Sequence, residues 1–163
     1  MVKVYRVLPN ETNKMDEINS FIQQKKPIIN AVYMPECGHC HAMIPKWNEA
    51  SSKIAKKYNG DVIIALVHKD SMSDLNMPSG HIMGYPHIMS YINNREREYN
   101  GDRSEEDFIK FMIQNGGSYL KPKQNGGKKH RKSRKTQKSR KVKRTIRKRK
   151  VSKKTRKVRR KRA

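Results

Sequence analysis

The chain has 163 residues, with 39 Lys and Arg against 14 Asp and Glu, and that length leaves room for one domain with a real core and little for two. Its net charge of +25 is misleading as an average, because residues 1–120 hold 14 basic and 14 acidic residues while residues 121–163 hold the other 25 basic residues and no acid. A neutral globular part, 1–120, is therefore expected to precede a separate polycation, 121–163. The 2 cysteines lie three positions apart, which excludes a secreted mini-protein stapled by several disulfides.

Val2 to Leu8 alternates apolar and polar residues with period two, the pattern of a strand. Lys3 and Arg6 interrupt it and Pro9-Asn10-Glu11 follows at once, so it does not read as an export signal. Met15, Ile18, Phe21 and Ile22 then recur at helical spacing between about Glu11 and Gln24. Pro27 to Tyr33 is a short, mostly apolar strand. From Gly38 to Tyr58 one stripe of Met43, Trp47, Ala50, Ile54 and Tyr58 predicts a long helix, kinked rather than ended by Pro45. Asn59-Gly60 stops it, and Asp61 to His68 is the strongest strand signal in the chain.

A loop or short helix is expected over Ser71 to Gly84, then a hairpin of His87–Ile92 and Arg95–Tyr99 joined through Asn93-Asn94. Ser104-Glu105-Glu106-Asp107 has the form of a helix start with acids at the positive helix end, and Phe108, Phe111 and Met112 give that helix its buried face. The order β-α-β-α-β-(α)-β-β-α points to an α/β fold with a central mixed sheet flanked by helices. No apolar run approaches the roughly 20 residues of a membrane span. Past Leu120 the composition collapses to Lys, Arg, Ser, Thr, Gln and Gly, which cannot bury enough surface to offset its ordering entropy, so the tail is expected to be disordered when free.

The chemistry is carried by Cys37-Gly38-His39-Cys40. Cys37 follows a strand and opens a helix, where unpaired N–H groups and the positive end of the dipole favour thiolate over thiol. Cys40 lies one turn in, placed to close a small disulfide and expel a bound substrate. His39 adds a charge that stabilises the thiolate form, while Glu36 opposes it. No further cofactor is called for beyond a redox-active Cys37–Cys40 disulfide.

Tyr33 to Cys40, with Pro45 five positions on, resembles the active site of protein disulfide isomerase domains in the thioredoxin superfamily. Gly84-Tyr85-Pro86 is similar to that family's Gly-Tyr-Pro, and Tyr99-Asn100-Gly101-Asp102-Arg103 to its Tyr-x-Gly-x-Arg stretch. The resemblance covers about residues 1–118. It implies the thioredoxin fold, Cys37 as nucleophile and Cys40 as resolving cysteine. It also implies Pro86 as a cis-proline that, with Tyr85, lies beside bound peptide, and Arg103 as a group that lowers the pKa of Cys40. Protein substrates carrying thiols or disulfides, met by a monomeric domain, follow from the same resemblance. Two positions depart from it: Glu36 stands where the family has Trp, and Ala31 where it buries an acid that takes the Cys40 proton. Asn30 is adjacent but faces the other way on a strand, so that role is left to water or a histidine, with His87 as a candidate.

Plainer readings stand beside these. Cys37 and Cys40 with His39, His41 or His87 are an incomplete set of zinc ligands with no second Cys-x-x-Cys, so no metal is assigned. Pro86 has the alternative of an ordinary turn proline and Arg103 that of a solvated surface arginine. His68 and His81 have no evident partner in the sequence.

The tail carries runs such as Arg147-Lys148-Arg149-Lys150 and Arg159-Arg160-Lys161-Arg162. A flexible polycation binds phosphate backbones by counterion release, so non-specific DNA or RNA contact is expected, with no base-reading frame and no stacking aromatic. Ser133, Thr136 and Ser139 recur among the cations, where phosphorylation would weaken such contact. Competing readings are a nuclear localisation signal, an anionic-membrane tether, or a contact for an acidic partner. The alternative to an enzyme is a non-enzymatic module of this fold whose tail binds nucleic acid or acidic partners. A thioredoxin-like domain joined through Gly126-Gly127 to such a tail also resembles proteins of large DNA viruses. The expected address is intracellular: cytoplasm, nucleus or viral particle.

Overall fold

The computed structural model describes residues 1–77 and 82–123. In chain order they form β1 (Lys3–Val7), α1 (Thr12–Gln23), β2 (Ile28–Tyr33), α2 (Gly38–Lys57), β3 (Tyr58–Gly60) and β4 (Ile63–His68). A 3-10 segment (Lys69–Asp74), β5 (His87–Ile92), β6 (Arg95–Glu98), α3 (Glu105–Gly116), a 3-10 turn (Gly117–Tyr119) and β7 (Leu120–Pro122) follow.

The main sheet has five strands in the order β1-β4-β2-β5-β6. β4 runs parallel to both β1 and β2, while β5 is antiparallel to β2 and to β6, so the sheet is mixed as the alternation of elements implies. Two-sided burial explains why β2 and β4 read as continuous apolar runs rather than alternating ones. On one face Ile29, Ala31 and Tyr33 of β2 meet Met43, Trp47, Ala50 and Ile54 of α2, with Phe108 and Met112 of α3. On the other, Ile28 and Val32 meet Met15, Ile18, Phe21 and Ile22 of α1. Fully burying side chains of this size stabilises the fold by roughly 1.5–3 kcal/mol each.

Local signals set the ends of the elements. The Asn93-Asn94 turn takes φ of 50° and 60°, the left-handed pair that a two-residue hairpin requires. Ser104 Oγ accepts from the Asp107 N–H at 3.1 Å and caps α3. α2 continues through Pro45, and Trp47 behind it is buried.

Two features differ from the sequence reading. Tyr58–Gly60 leaves the α2 stripe and pairs antiparallel with Leu120–Pro122, forming a separate two-stranded sheet. The fold therefore continues past Leu120. Lys123 N–H donates to the Lys57 carbonyl at 2.8 Å and its ammonium to the Ala55 carbonyl at 2.7 Å, giving the otherwise open C-terminal carbonyls of α2 partners. Among the described residues no helix is long and apolar enough to cross a membrane.

Candidate active site

The sheet and α2 bring the sequence-selected cysteines to one point. Cys37 follows β2 and serves as the N-cap of α2, its sulfur accepting from the Cys40 N–H at 3.2 Å. The partly exposed Cys37 thiol also donates to the Tyr85 carbonyl at 3.4 Å, across 48 positions of sequence. Tyr85–Pro86 is a cis peptide bond. Cys40 lies behind, fully buried, and both thiols are free.

Burial pushes the Cys40 thiol up to about 11, and the neighbouring Cys37 sulfur adds to the rise. A hydrogen bond from the Met34 backbone and the charge of Arg103 pull it back down. The site thus pairs an accessible sulfur with a buried one held as thiol.

Beside it runs a groove in two adjoining parts of about 290 and 280 Å³, both bordered by Pro86, Glu98 and Arg103. Arg103 is exposed and holds a left-handed backbone, φ 59°, which costs a non-glycine residue about 1 kcal/mol or more. Met83, on the loop before Tyr85, is 96% exposed. Glu36 and His39 are both exposed around the Cys37 turn.

The structure does not bring His87 to Cys40. On β5 it stands opposite Val32, whose side chain belongs to the α1 face, whereas Ile88 stands opposite Ala31 on the Cys40 face. Its ring sits 3.8 Å from both Glu96 and Glu98, and at the strand's start it borders the groove with Tyr85, Pro86 and Arg103. The alternation of the strand, which also turns Asn30 away, overrides closeness in sequence to Pro86. Ala31 is fully buried in the same apolar cluster as Cys40. His68 does find a partner, since its Nδ1 accepts from the Asp70 N–H at 3.2 Å.

Three features escaped the sequence reading. Asn30 is fully buried with neither amide atom paired among the described residues. The Tyr99 hydroxyl joins Asp107 to the Arg103 backbone, and no local periodicity marks a bond across eight positions. Met34 reaches Cys40 through its backbone, which side-chain chemistry cannot reveal. Among the described residues no group of three or more His, Cys, Asp and Glu is placed to share a metal ion. His81, Ser133, Thr136, Ser139 and the basic runs Arg147-Lys148-Arg149-Lys150 and Arg159-Arg160-Lys161-Arg162 lie outside the described residues.

The mixed sheet, the cysteine pair at a helix mouth and the facing proline loop define a thiol-bearing α/β domain of the thioredoxin type. A sequence profile described as "Thioredoxin" matches residues 10–114, and the chain belongs to that family. A protein disulfide-isomerase of Humicola insolens is 33% identical over 99 residues, 58% of this chain and 19% of that one. A probable protein disulfide-isomerase A4 of Caenorhabditis elegans is 30% identical over 110 residues, 66% of this chain and 18% of that one. The chain therefore spans about a fifth of these curated relatives. Among solved structures, the J-Trx1 fragment of ERdj5 matches with a TM-score of 0.51 at 25% identity, over 68% of this chain and 50% of that one. The first thioredoxin domain of mouse protein disulfide-isomerase A4 shares the fold, with a TM-score of 0.53 at 22% identity over 76% and 81% of the two chains.

Proposed function

We propose that the chain is a protein thiol–disulfide oxidoreductase working through Cys37 and Cys40. The observation that carries this reading is the placement of Cys37 Sγ at the open end of α2 and against the Tyr85 carbonyl, with Cys40 buried one turn behind. The Cys37 thiolate attacks a substrate disulfide, forming a mixed disulfide as one substrate sulfur leaves as thiolate. Cys40 then loses its proton and attacks Cys37 Sγ, which closes the intramolecular disulfide and releases the second substrate sulfur. Run backwards, the same two steps oxidise a dithiol.

Negative charge passing through Cys37 Sγ meets the Cys40 N–H and the positive end of α2. Tyr85 and Pro86 are proposed to border the bound peptide, His39 to add positive charge near the sulfurs, and Arg103 to ease ionisation of Cys40.

The test is reduction of a small chromogenic disulfide and refolding of a scrambled multi-disulfide protein. Cys37→Ser is expected to abolish both reactions, and Cys40→Ser to accumulate mixed disulfides. Turnover that survives Cys37→Ser ends the reading. Titration against glutathione then sets direction, because a potential near that of thioredoxin makes the pair a reductant and one near that of disulfide isomerase makes it an oxidant or isomerase.

A second reading, compatible with the first, is favoured by the segregation of 25 basic residues into 121–163. The tail holds the enzyme on phosphate backbones without regard to base sequence. Retention on DNA and RNA is expected to fall steeply with salt and to drop when Arg147–Lys150 and Arg159–Arg162 are all changed to Gln. Retention that the changes leave intact removes this role and returns the tail to the localisation, membrane and acidic-partner readings.

A further inference from the structure

Arg103 borders the groove beside Pro86 from a backbone conformation that a non-glycine residue rarely holds, so its neighbours must maintain it. Its N–H donates to the Tyr99 hydroxyl oxygen at 2.8 Å, and that hydroxyl donates in turn to Asp107 Oδ2 at 2.7 Å. The Tyr99 ring is fixed by Phe108 and Phe111, with centroids 5.2 and 5.1 Å away. Asp107 is fixed from below, because its N–H donates to Ser104 Oγ at 3.1 Å and the Ser104 N–H donates to Asp102 Oδ1 at 2.8 Å. A side chain at Gly101 would collide with both the Asp107 carboxylate and the Tyr99 hydroxyl. Glycine there is a matter of room. The first turn of α3, the end of β6 and the Arg103 backbone are thus bolted together through one hydroxyl group.

We propose that Tyr99 and Asp107 form a latch that holds Arg103 at the groove beside Pro86 and so assists Cys40 in resolving a mixed disulfide. The proposal rests on the thiol–disulfide reading above, and it makes Tyr99 and Asp107 positioning residues with no contact to substrate. Arg103 is one of the groups that favour the ionised form of Cys40. Burial, followed by the bond to Asp107, keeps the Tyr99 hydroxyl protonated, so it remains a donor across any pH at which exchange is measured. The charged and titratable groups around the arrangement are Cys37 at the mouth of α2, Lys46 on α2, Glu98 and His87 on the hairpin, Asp102 beside Arg103, and Asp107 and Lys110 on α3. A Tyr99→Phe substitution leaves all of them, and the ring packing, in place.

The reduced full chain is mixed with an aromatic disulfide that releases a coloured thiolate. The first release reports attack by Cys37, and the second reports closure of the Cys37–Cys40 bond. In Tyr99→Phe the first phase is expected to hold while the second slows about threefold to tenfold near neutral pH, its profile moving upward in the same direction as in Arg103→Gln. Adding Tyr99→Phe to Arg103→Gln should then slow the second phase by less than about twofold. A purely structural tyrosine would lower the melting temperature and leave the pH profile where it was. Gly101→Ala crowds the same two oxygens while keeping every charge, and it serves if Tyr99→Phe melts below the assay temperature. An unmoved second phase in these variants, or the full extra loss on top of Arg103→Gln, overturns the latch and leaves Cys37 chemistry standing. A wild-type chain without the first phase overturns the underlying reading instead.

Discussion

Asn30 and Ala31 are neighbours on β2 that face opposite sides of the sheet, and the two sides place their polarity differently. Toward α2 and α3, Ala31 contributes a methyl group to the apolar cluster that holds Cys40, Leu66 and Ile88. Toward α1, Asn30 contributes a fully buried amide with neither atom paired among the described residues. The face that carries the cysteines also buries Ser51, Ser90 and Asn115, but each of these is hydrogen-bonded, whereas the buried amide of the other face has no partner among the described residues. Burial, with the neighbouring Cys37 sulfur, keeps Cys40 in the thiol form, so deprotonation is the step to be overcome. Once Cys37 is tied up in a mixed disulfide its charge no longer opposes Cys40, and burial is the main obstacle left.

The largest expected effect is on pH dependence. Burial, with the neighbouring Cys37 sulfur, holds the Cys40 thiol up at about 11, so it is protonated at neutral pH. The resolving phase should therefore rise with pH between about 7 and 10, because burial still opposes the Cys40 thiolate in the mixed disulfide. A resolving phase flat across that range would break the contrast. Next in size is Ala31→Glu, which places a carboxyl group into the apolar cluster around Cys40. It should speed resolution about tenfold at neutral pH and level the profile, at a cost of about 3 kcal/mol in denaturant unfolding. A loss of stability with an unaltered profile would show that an acid at this position cannot serve Cys40.

On the other face, Asn30→Leu removes an amide whose burial is uncompensated. Unfolding free energy should rise by about 1 kcal/mol with no change in either kinetic phase. A fall instead would mean that a bound water partners the amide. The smallest effect is expected from His87→Gln, because His87 lies on the α1 face between Glu96 and Glu98. Resolution should change by less than about twofold, and a large slowing would reinstate His87 as the proton acceptor.

Much of this was readable in the chain because it depends on short-range patterns. β2 and β4 declare themselves as apolar runs, α1 and α2 as stripes, the hairpin through Asn93-Asn94 and α3 through its Ser104 cap. The cysteine pair and the Tyr85–Pro86 loop were marked by spacing and by resemblance. What was not readable depends on pairing across the sheet. β3 and β7 are three residues each, too short to show a period, and each exists only because the other is there. The fate of His87 needed the β2–β5 register, since a slip of one residue reverses every side chain. Arg103 drew notice for its charge. Its dependence on Tyr99 is a bond between a strand end and a helix start that no window of sequence contains.

The bonds that Lys123 makes to the Lys57 and Ala55 carbonyls have a practical meaning. α2 is 20 residues long and rises about 1.5 Å per residue, so its two ends are about 30 Å apart. Cys37 sits at one end and the strand leading to residue 123 is fastened at the other. The domain has a handle and a working tip. A bead or a dye attached at residue 123 would therefore join the domain at the end of α2 away from Cys37.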